Sequence, residues 1–126
     1  TTYDLISVPK PAYQQDSTFD RTYVIEGFGK EGTTVTLYWL DSAAGVYRKV
    51  YDHGQGYDEA GNPITLYNEA VFTVGASGQF KKSAELYSGQ NIFLLYAEYG
   101  DARQLVQLDI TKYNYNIVDI IKSLTN

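Results

Sequence analysis

The sequence predicts an all-β protein, an antiparallel β-sandwich of about seven to nine strands with a short helix at its C-terminal end. Apolar residues alternate along several segments, as from Phe93 through Leu95 to Ala97, which is the spacing of a strand with one buried face. Glycine-containing turns separate these segments. Tyrosine, which is favoured in half-buried strands, occurs 13 times in 126 residues. Together these features favour sheets over helices.

The composition fits one domain and argues against several classes of protein. The absence of cysteine excludes disulfides and thiolate metal sites. A net charge of −5 with scattered Lys and Arg argues against nucleic-acid and anionic-membrane surfaces. The longest apolar run is about four residues, against the roughly 20 of a membrane helix, so we expect no membrane insertion. Methionine is absent even at position 1, and we expect a mature segment or an excised domain.

The residue pattern of the N-terminal third predicts two strands. The first covers residues 3–8 and stops at Pro9, because proline cannot donate to a strand ladder. Residues 12–18 are polar and predict a connection. Residues 19–28 alternate and predict the second strand, which a glycine-containing turn closes.

The middle of the chain predicts a hairpin followed by a long loop. Residues 33–40 give the clearest strand pattern, and a turn joins them to a strand over residues 46–51. Residues 52–63 are rich in glycine and poor in apolar residues, which predicts a loop. Alternation resumes over residues 64–74.

The strongest hairpin signal runs from Gly78 to Gly100, and a last strand is predicted over residues 102–110. The second strand of this hairpin is apolar on both faces. We expect its inner face in the core and its outer face, the interaction face Ile92, Leu94 and Tyr96, to be covered by another element or a partner. The predicted core contains Val35, Trp39, Phe80, Phe93 and Leu95.

In the C-terminal tail the spacing of apolar residues changes from the alternation of a strand to that of a helix. Ile117, Ile120, Ile121 and Leu124 have the spacing of an amphipathic helix, and Asn116 is a suitable N-cap. So short a helix is marginal alone, and we predict that it docks on the interaction face. The expected organisation is therefore a sandwich over residues 1–112, with a long hairpin or loop insertion at 41–68, and a helical tail over 113–126.

The order of these motifs resembles the bacterial immunoglobulin-like modules of secreted and cell-surface proteins, including those appended to glucodextranase-type glycoside hydrolases. The matching segments are residues 6–9, 24–27, 32–38, 78–80, 86–91, 93–97 and 106–110. The long segment 41–68, the C-terminal helix and Lys82, at a position where an inward apolar residue is usual, depart from the pattern. The resemblance implies an immunoglobulin-like sandwich outside the cell. It also implies a non-catalytic module that contacts other domains of its polypeptide or a cell-surface protein.

Residues that could carry chemistry are few. His53 is the only histidine, and no serine or zinc-protease motif accompanies it. Asp58 and Glu59 are adjacent, so on a strand they would point to opposite faces rather than act as a glycosidase pair. A small stand-alone enzyme is therefore our third-ranked hypothesis, behind a structural or interaction module and a carbohydrate-binding module.

Two binding hypotheses involve the long loop. Its oxygen-bearing residues Asp52, Asp58, Glu59 and Asn62 could bind calcium, although their spacing differs from the EF-hand pattern and ordinary surface charge explains them better. We expect no other cofactor. The tyrosines around the loop could stack on sugar rings, although tyrosine also packs across strands in any sheet. These tyrosines are Tyr47, Tyr51, Tyr57 and Tyr67.

Overall fold

The computed structural model describes residues 4–114 together with 121, 122 and 124. The described chain is all-β, with one 3₁₀ turn at Ala12–Gln14. Its strands are β1 (Ile6–Lys10), β2 (Gln15–Thr18), β3 (Thr22–Gly29), β4 (Thr34–Asp41), β5 (Val46–Lys49), β6 (Tyr51–Tyr57), β7 (Pro63–Glu69), β8 (Val71–Thr73), β9 (Gln79–Glu85), β10 (Gly89–Tyr99) and β11 (Ala102–Lys112).

Two sheets and a separate hairpin make up the fold. The smaller sheet has the order β1-β3-β9 and is antiparallel throughout. The larger sheet has the order β2-β11-β10-β4-β5, and β8 also pairs with β4. Strands β6 and β7 pair only with each other. This arrangement is consistent with a β-sandwich.

One hydrophobic core joins the smaller sheet to the larger sheet. Ile25 of the smaller sheet is fully buried in the same cluster as Leu37, Leu95 and Leu108 of the larger sheet. The alternation predicted for the hairpin 78–100 is confirmed, because Phe80 and Phe93 are buried on matching parities. Of the predicted core residues, Val35, Phe80, Phe93 and Leu95 are buried, whereas Trp39 is only partly buried at the edge of the cluster.

Strands β5 and β8 share one edge of β4, and the β6–β7 hairpin leaves the sheet between them. The backbone N–H of Leu37 donates to the carbonyl of Ala70 at 3.0 Å, and its carbonyl accepts from Val50 at 3.0 Å. The N–H of Ala70 in turn donates to the carbonyl of Val50 at 2.8 Å. These three hydrogen bonds satisfy the backbone at the point of departure and fix the base of the hairpin.

The predicted loop over residues 52–63 is wrong for its first half, since β6 covers Tyr51–Tyr57. Glycine lowers strand propensity, but here Gly56 provides room for Leu66 of the facing strand. A Cβ on Gly56 would lie 2.7 Å from Cδ1 of Leu66. Ladder hydrogen bonds and this cross-strand packing therefore compensate for the weak local signal.

Two other boundaries differ from the prediction. Strand β1 continues past Pro9 to Lys10, with an irregular register between Ser7 and Lys10. Part of the predicted connection is β2, which pairs in parallel with the end of β11. All four residues of β2 are polar, and such a strand has no apolar alternation that a sequence pattern could detect.

The predicted C-terminal helix falls mainly on residues outside those described. Ile121, Lys122 and Leu124 have helical backbone and exposed side chains. Docking of the tail on the interaction face stays a prediction. Among the described residues, no helix is both long enough and apolar enough to cross a membrane.

Candidate ligand-binding cleft

A cleft of about 880 Å³ opens along one side of the sandwich. Strand β9 forms one border as the edge of the smaller sheet, and the β4–β5 turn forms another. The base of the β6–β7 hairpin forms the remaining wall. The floor contains Ala84 and Phe93, which are both buried in the core. The cleft therefore lies directly over the rigid interior of the protein.

Two aromatic side chains stand at the sandwich side of the cleft. The rings of Trp39, from β4, and Tyr87, from the β9–β10 turn, have centroids 6.4 Å apart and planes inclined by 47°. Trp39 packs partly against the core, whereas Tyr87 is 74% exposed. The pair presents apolar ring surface backed by the core and still accessible from solvent.

Asn91 holds the turn that carries Tyr87. Its Oδ1 accepts from the backbone N–H of Tyr87 at 2.9 Å, and its Nδ2 donates to the Tyr87 carbonyl at 2.8 Å. The same Nδ2 lies 3.0 Å from the carbonyl of Gly89 and 3.1 Å from that of Ile110. Asn91 is buried, and its bond to Ile110 lies in the interior, so this amide fixes the turn and positions the aromatic wall.

The hairpin contributes a second group of rings. His53 and Tyr67 are cross-strand partners, and their rings meet edge to face with centroids 4.9 Å apart. Tyr51 lies two residues before His53 and also lines the cleft. Tyr67 is 64% exposed. The histidine therefore packs as part of an aromatic wall.

An ion pair ties the hairpin to the sandwich. Nζ of Lys82, on β9, lies 2.5 Å from Oδ2 of Asp52, on β6. The Lys82 side chain is only 18% exposed and shares its strand face with the buried residues Phe80 and Ala84. A lysine on this inward face thus reaches across the edge of the sandwich and fixes the position of the hairpin wall.

The other charges around the cleft are also mostly paired. Nε of Arg48 lies 2.9 Å from Oδ2 of Asp41, and this hydrogen bond lowers the pKa of the Asp41 carboxyl. Lys49 pairs with Glu69 at 3.0 Å. The carboxylate of Glu85, on the exposed side of β9, forms no ion pair or hydrogen bond within residues 4–114. The cleft therefore carries an unpaired negative charge.

The structure brings together two of the four tyrosines proposed for sugar binding. Tyr51 and Tyr67 line the cleft. Tyr47 pairs with Leu40 across β4 and β5 and does not line it. Tyr57 lies at the far end of the hairpin and is 76% exposed. Position, rather than residue type, separates the two pairs, because Tyr47 lies on β5 and Tyr57 lies at the far end of the hairpin.

The four residues proposed for calcium do not form one cluster. Asp52 pairs with Lys82, whereas Asp58 lies six positions further along the chain, about 20 Å along an extended strand. The backbone N–H of Asn62 donates to Oδ1 of Asp58 at 2.8 Å and lowers the pKa of that carboxyl. Glu59 is exposed in the same turn. Within the described ranges, no group of three or more acidic or histidine side chains is placed to hold a metal ion.

The predicted interaction face is half-buried. Ile92, Leu94 and Tyr96 alternate with the core residues of β10, and Tyr96 pairs with the exposed Leu105 of β11. Ile92 also lines the cleft. Whether a partner covers this face stays a prediction.

Sequence patterns alone missed Trp39, Tyr87, Asn91 and Glu85. Trp39 shares the parity of Val35 and Leu37, which assigns it to the core. The available signal was its position next to a turn, where a large side chain reaches the end of a sandwich. Tyr87 and Asn91 lie in a turn whose hydrogen bonds depend on the packing of distant strands.

No family model matches the sequence, and no curated protein matches it.

Proposed function

We propose that this chain is a non-catalytic, immunoglobulin-like module of a bacterial secreted or cell-surface protein, and that the cleft is its ligand-binding site. The strand order supports the fold assignment. Immunoglobulin-like sandwiches pair strands A, B and E in one sheet and G, F, C and C′ in the other. The orders β1-β3-β9 and β11-β10-β4-β5 correspond to these two sheets.

The cleft is the single observation that carries the binding role. Immunoglobulin-like sandwiches commonly place strand D beside strand E. Strand β9 occupies the E position, and no strand in the described part of the chain pairs with its outer edge. The space beside it is the cleft, with aromatic rings on two sides and core residues beneath. A concave, mostly preformed site with a few polar groups is the usual form of a ligand pocket.

The arrangement of charges supports a non-catalytic role. Glycoside hydrolysis requires two carboxyl groups that flank the scissile bond. Of the three carboxylates that line the cleft within the described ranges, Asp41 and Asp52 are held in ion pairs, which leaves Glu85. His53 packs against Tyr67 as part of the wall. The extracellular assignment is supported only by the resemblance of the sequence to bacterial surface modules.

The interaction face suits a second type of contact. Other domains of the same polypeptide or a cell-surface protein are the partners we propose for it. The exposed Leu105 and Val71 extend this face on neighbouring strands, since Leu105 pairs with Tyr96, and Val71 and Tyr96 both pair with Thr36. Exposed apolar side chains grouped on one face are typical of docking surfaces.

The only tryptophan of the chain lies in the cleft, which provides a direct assay. Trp39 fluorescence should change saturably when a ligand enters, and backbone amide NMR shifts should cluster at the cleft. Tyr87→Ala should weaken this response, whereas Tyr57→Ala should not, because Tyr57 is remote on the hairpin. Ligands that shift only residues of the interaction face, or no response to any glycan, peptide or small molecule, would contradict the proposed site.

A further inference from the structure

We infer that the cleft binds a neutral oligosaccharide, with a sugar ring lying against Trp39 and Tyr87. This inference rests on the proposed ligand-binding function and adds the chemical class of the ligand. Four features support it. They are the aromatic surface, the polar groups without intramolecular partners, the unpaired negative charge, and the Lys82–Asp52 ion pair at the edge of β9.

The aromatic surface matches the C–H face of a pyranose ring. Such a ring has an apolar face and a rim of hydroxyl groups, so it buries carbon against an aromatic side chain while its rim stays available for hydrogen bonds. Trp39 and Tyr87 offer two inclined rings within 6.4 Å of each other. Tyr51 and Tyr67 stand on the hairpin side. The cleft can thus contact a ligand from two sides and along more than one sugar unit.

Polar groups without intramolecular partners surround these rings. Within the described residues, the hydroxyl groups of Ser42 and Ser83 form no hydrogen bond, and neither does the Glu85 carboxylate. The tyrosine hydroxyls of the cleft are also unengaged there. Hydroxyl groups donate and accept, and a carboxylate accepts strongly. This mixture suits a ligand rich in hydroxyl groups.

The charges disfavour acidic sugars. Lys49, the one cation among the described residues that line the cleft, is paired with Glu69, and the nearby Arg48 and Lys82 are also paired with carboxylates. An incoming uronate would therefore meet the unpaired Glu85 and, among the described residues that line the cleft, no unpaired cation. Like charges within a few ångströms repel each other, and the effect is strongest where water is displaced. The ligand class that fits is neutral.

An extended peptide added to β9 is the principal competing ligand, since edge strands accept such partners. The side chain of Lys82 leaves the middle of β9 and meets Asp52 on the hairpin. This ion pair crosses the space that an added strand would occupy. The adjacent Lys81 is an exposed charge on the same strand, a feature that discourages pairing at an edge.

A titration followed by Trp39 fluorescence tests the inference. The probes are hexasaccharides of β-1,4-glucan, β-mannan, xylan and chitin, together with oligogalacturonate and a neutral extended peptide. We expect saturable binding of at least one neutral hexasaccharide and none of oligogalacturonate. Tyr87→Ala should weaken binding roughly tenfold or more, with Tyr57→Ala as the matched control and circular dichroism to verify folding.

A variant of Glu85 tests the preference for neutral sugars separately from the location of the binding site. Glu85→Lys should allow oligogalacturonate to bind while it leaves β9 folded. Tighter binding of oligogalacturonate or of the peptide to the unmodified cleft would overturn the neutral-sugar inference and leave the proposed function intact. No response to any neutral sugar would overturn the inference too. The proposed function fails with it only if other glycans, peptides and small molecules also leave Trp39 unchanged.

Discussion

The hydroxyl group of Tyr23 donates a 2.6 Å hydrogen bond to Oδ2 of Asp16 and connects the two sheets of the sandwich. Tyr23 belongs to β3 of the smaller sheet and is buried, whereas Asp16 belongs to β2 of the larger sheet. This bond lowers the pKa of the Asp16 carboxyl, and burial raises the pKa of the tyrosine. The short strand β2 is therefore anchored by a side chain as well as by its ladder.

Tyr23→Phe should lower the free energy of unfolding by about 1 kcal/mol at neutral pH, because it removes one charge-assisted hydrogen bond. The folded-state pKa of Asp16 is lowered, so its contribution is complete above the ordinary carboxyl pKa of about 3.9 and disappears as pH falls through the lowered value. Urea denaturation at pH 7 and at a series of lower pH values should show the difference shrink as Asp16 becomes protonated. Tyr13→Phe, at a side chain 92% exposed, is the control. A loss that stays the same after Asp16 is protonated would contradict this account.

Asn91→Ala should cost about 2–3 kcal/mol of stability, since it leaves buried backbone groups of the β9–β10 turn without partners. Tyr87 should lose its fixed position as well. Denaturant unfolding measures the first effect, and the accessibility of Trp39 to acrylamide measures the second. Gln90→Ala removes one exposed hydrogen bond, to Asp109, and should change neither quantity by much. Unchanged stability in Asn91→Ala would show that the turn does not depend on the amide.

Asp52→Asn should destabilise the hairpin more than Lys82→Met does. The first change leaves a mostly buried ammonium without its partner, whereas the second removes the charge and keeps the apolar stem. We expect a local loss of about 1 kcal/mol in Asp52→Asn, between the values for exposed and buried pairs. Hydrogen exchange of the β6 and β7 amides measures it.

Glu69→Gln is the matched control for that experiment, because the Lys49–Glu69 pair is exposed on both sides. It should leave exchange in the hairpin nearly unchanged. Faster exchange in Glu69→Gln than in Asp52→Asn would show that the Lys82 ion pair is not what holds the hairpin.

Gly27→Ala should destabilise the protein by about 2–3 kcal/mol through overpacking. A Cβ at this buried position would overlap the ring of Phe80 and lie 2.6 Å from the carbonyl oxygen of Ser7, a backbone atom that cannot rotate away. Gly75→Ala is the control, since its Cβ would meet no atom within 4 Å. Thermal melts of the two variants measure the difference, and equal melting temperatures would contradict the prediction.

The strands that pack on the core could be predicted from sequence because burial on one face imposes a period of two residues. This explains the correct assignment of Phe80 and Phe93 to the core. Strands β2 and β6 could not be predicted, because contacts between strands, rather than a buried face, stabilise them. The side chain of Leu66 packs over Gly54, its cross-strand partner, and over Gly56, and β2 is held by β11 and by Tyr23.

The cleft was only partly predictable for a related reason. Tyr51 and Tyr67 could be chosen because they lie near an unusual insertion in the sequence. Trp39, Tyr87 and Glu85 come from three other segments, and their proximity follows from the way the hairpin folds back toward β9. Strand alternation contains no information on such a juxtaposition.

The hydrogen bonds among Leu37, Val50 and Ala70 bring the two ends of the β6–β7 hairpin together at the edge of β4. Because Val50 and Ala70 are already bonded to each other, we expect the strand order to tolerate a hairpin of another length between them. A replacement segment would still need a carboxylate in the place of Asp52, because Lys82 is mostly buried and takes its partner from the hairpin. With that ion pair kept, we expect the wall of the cleft to be exchangeable on an unchanged frame.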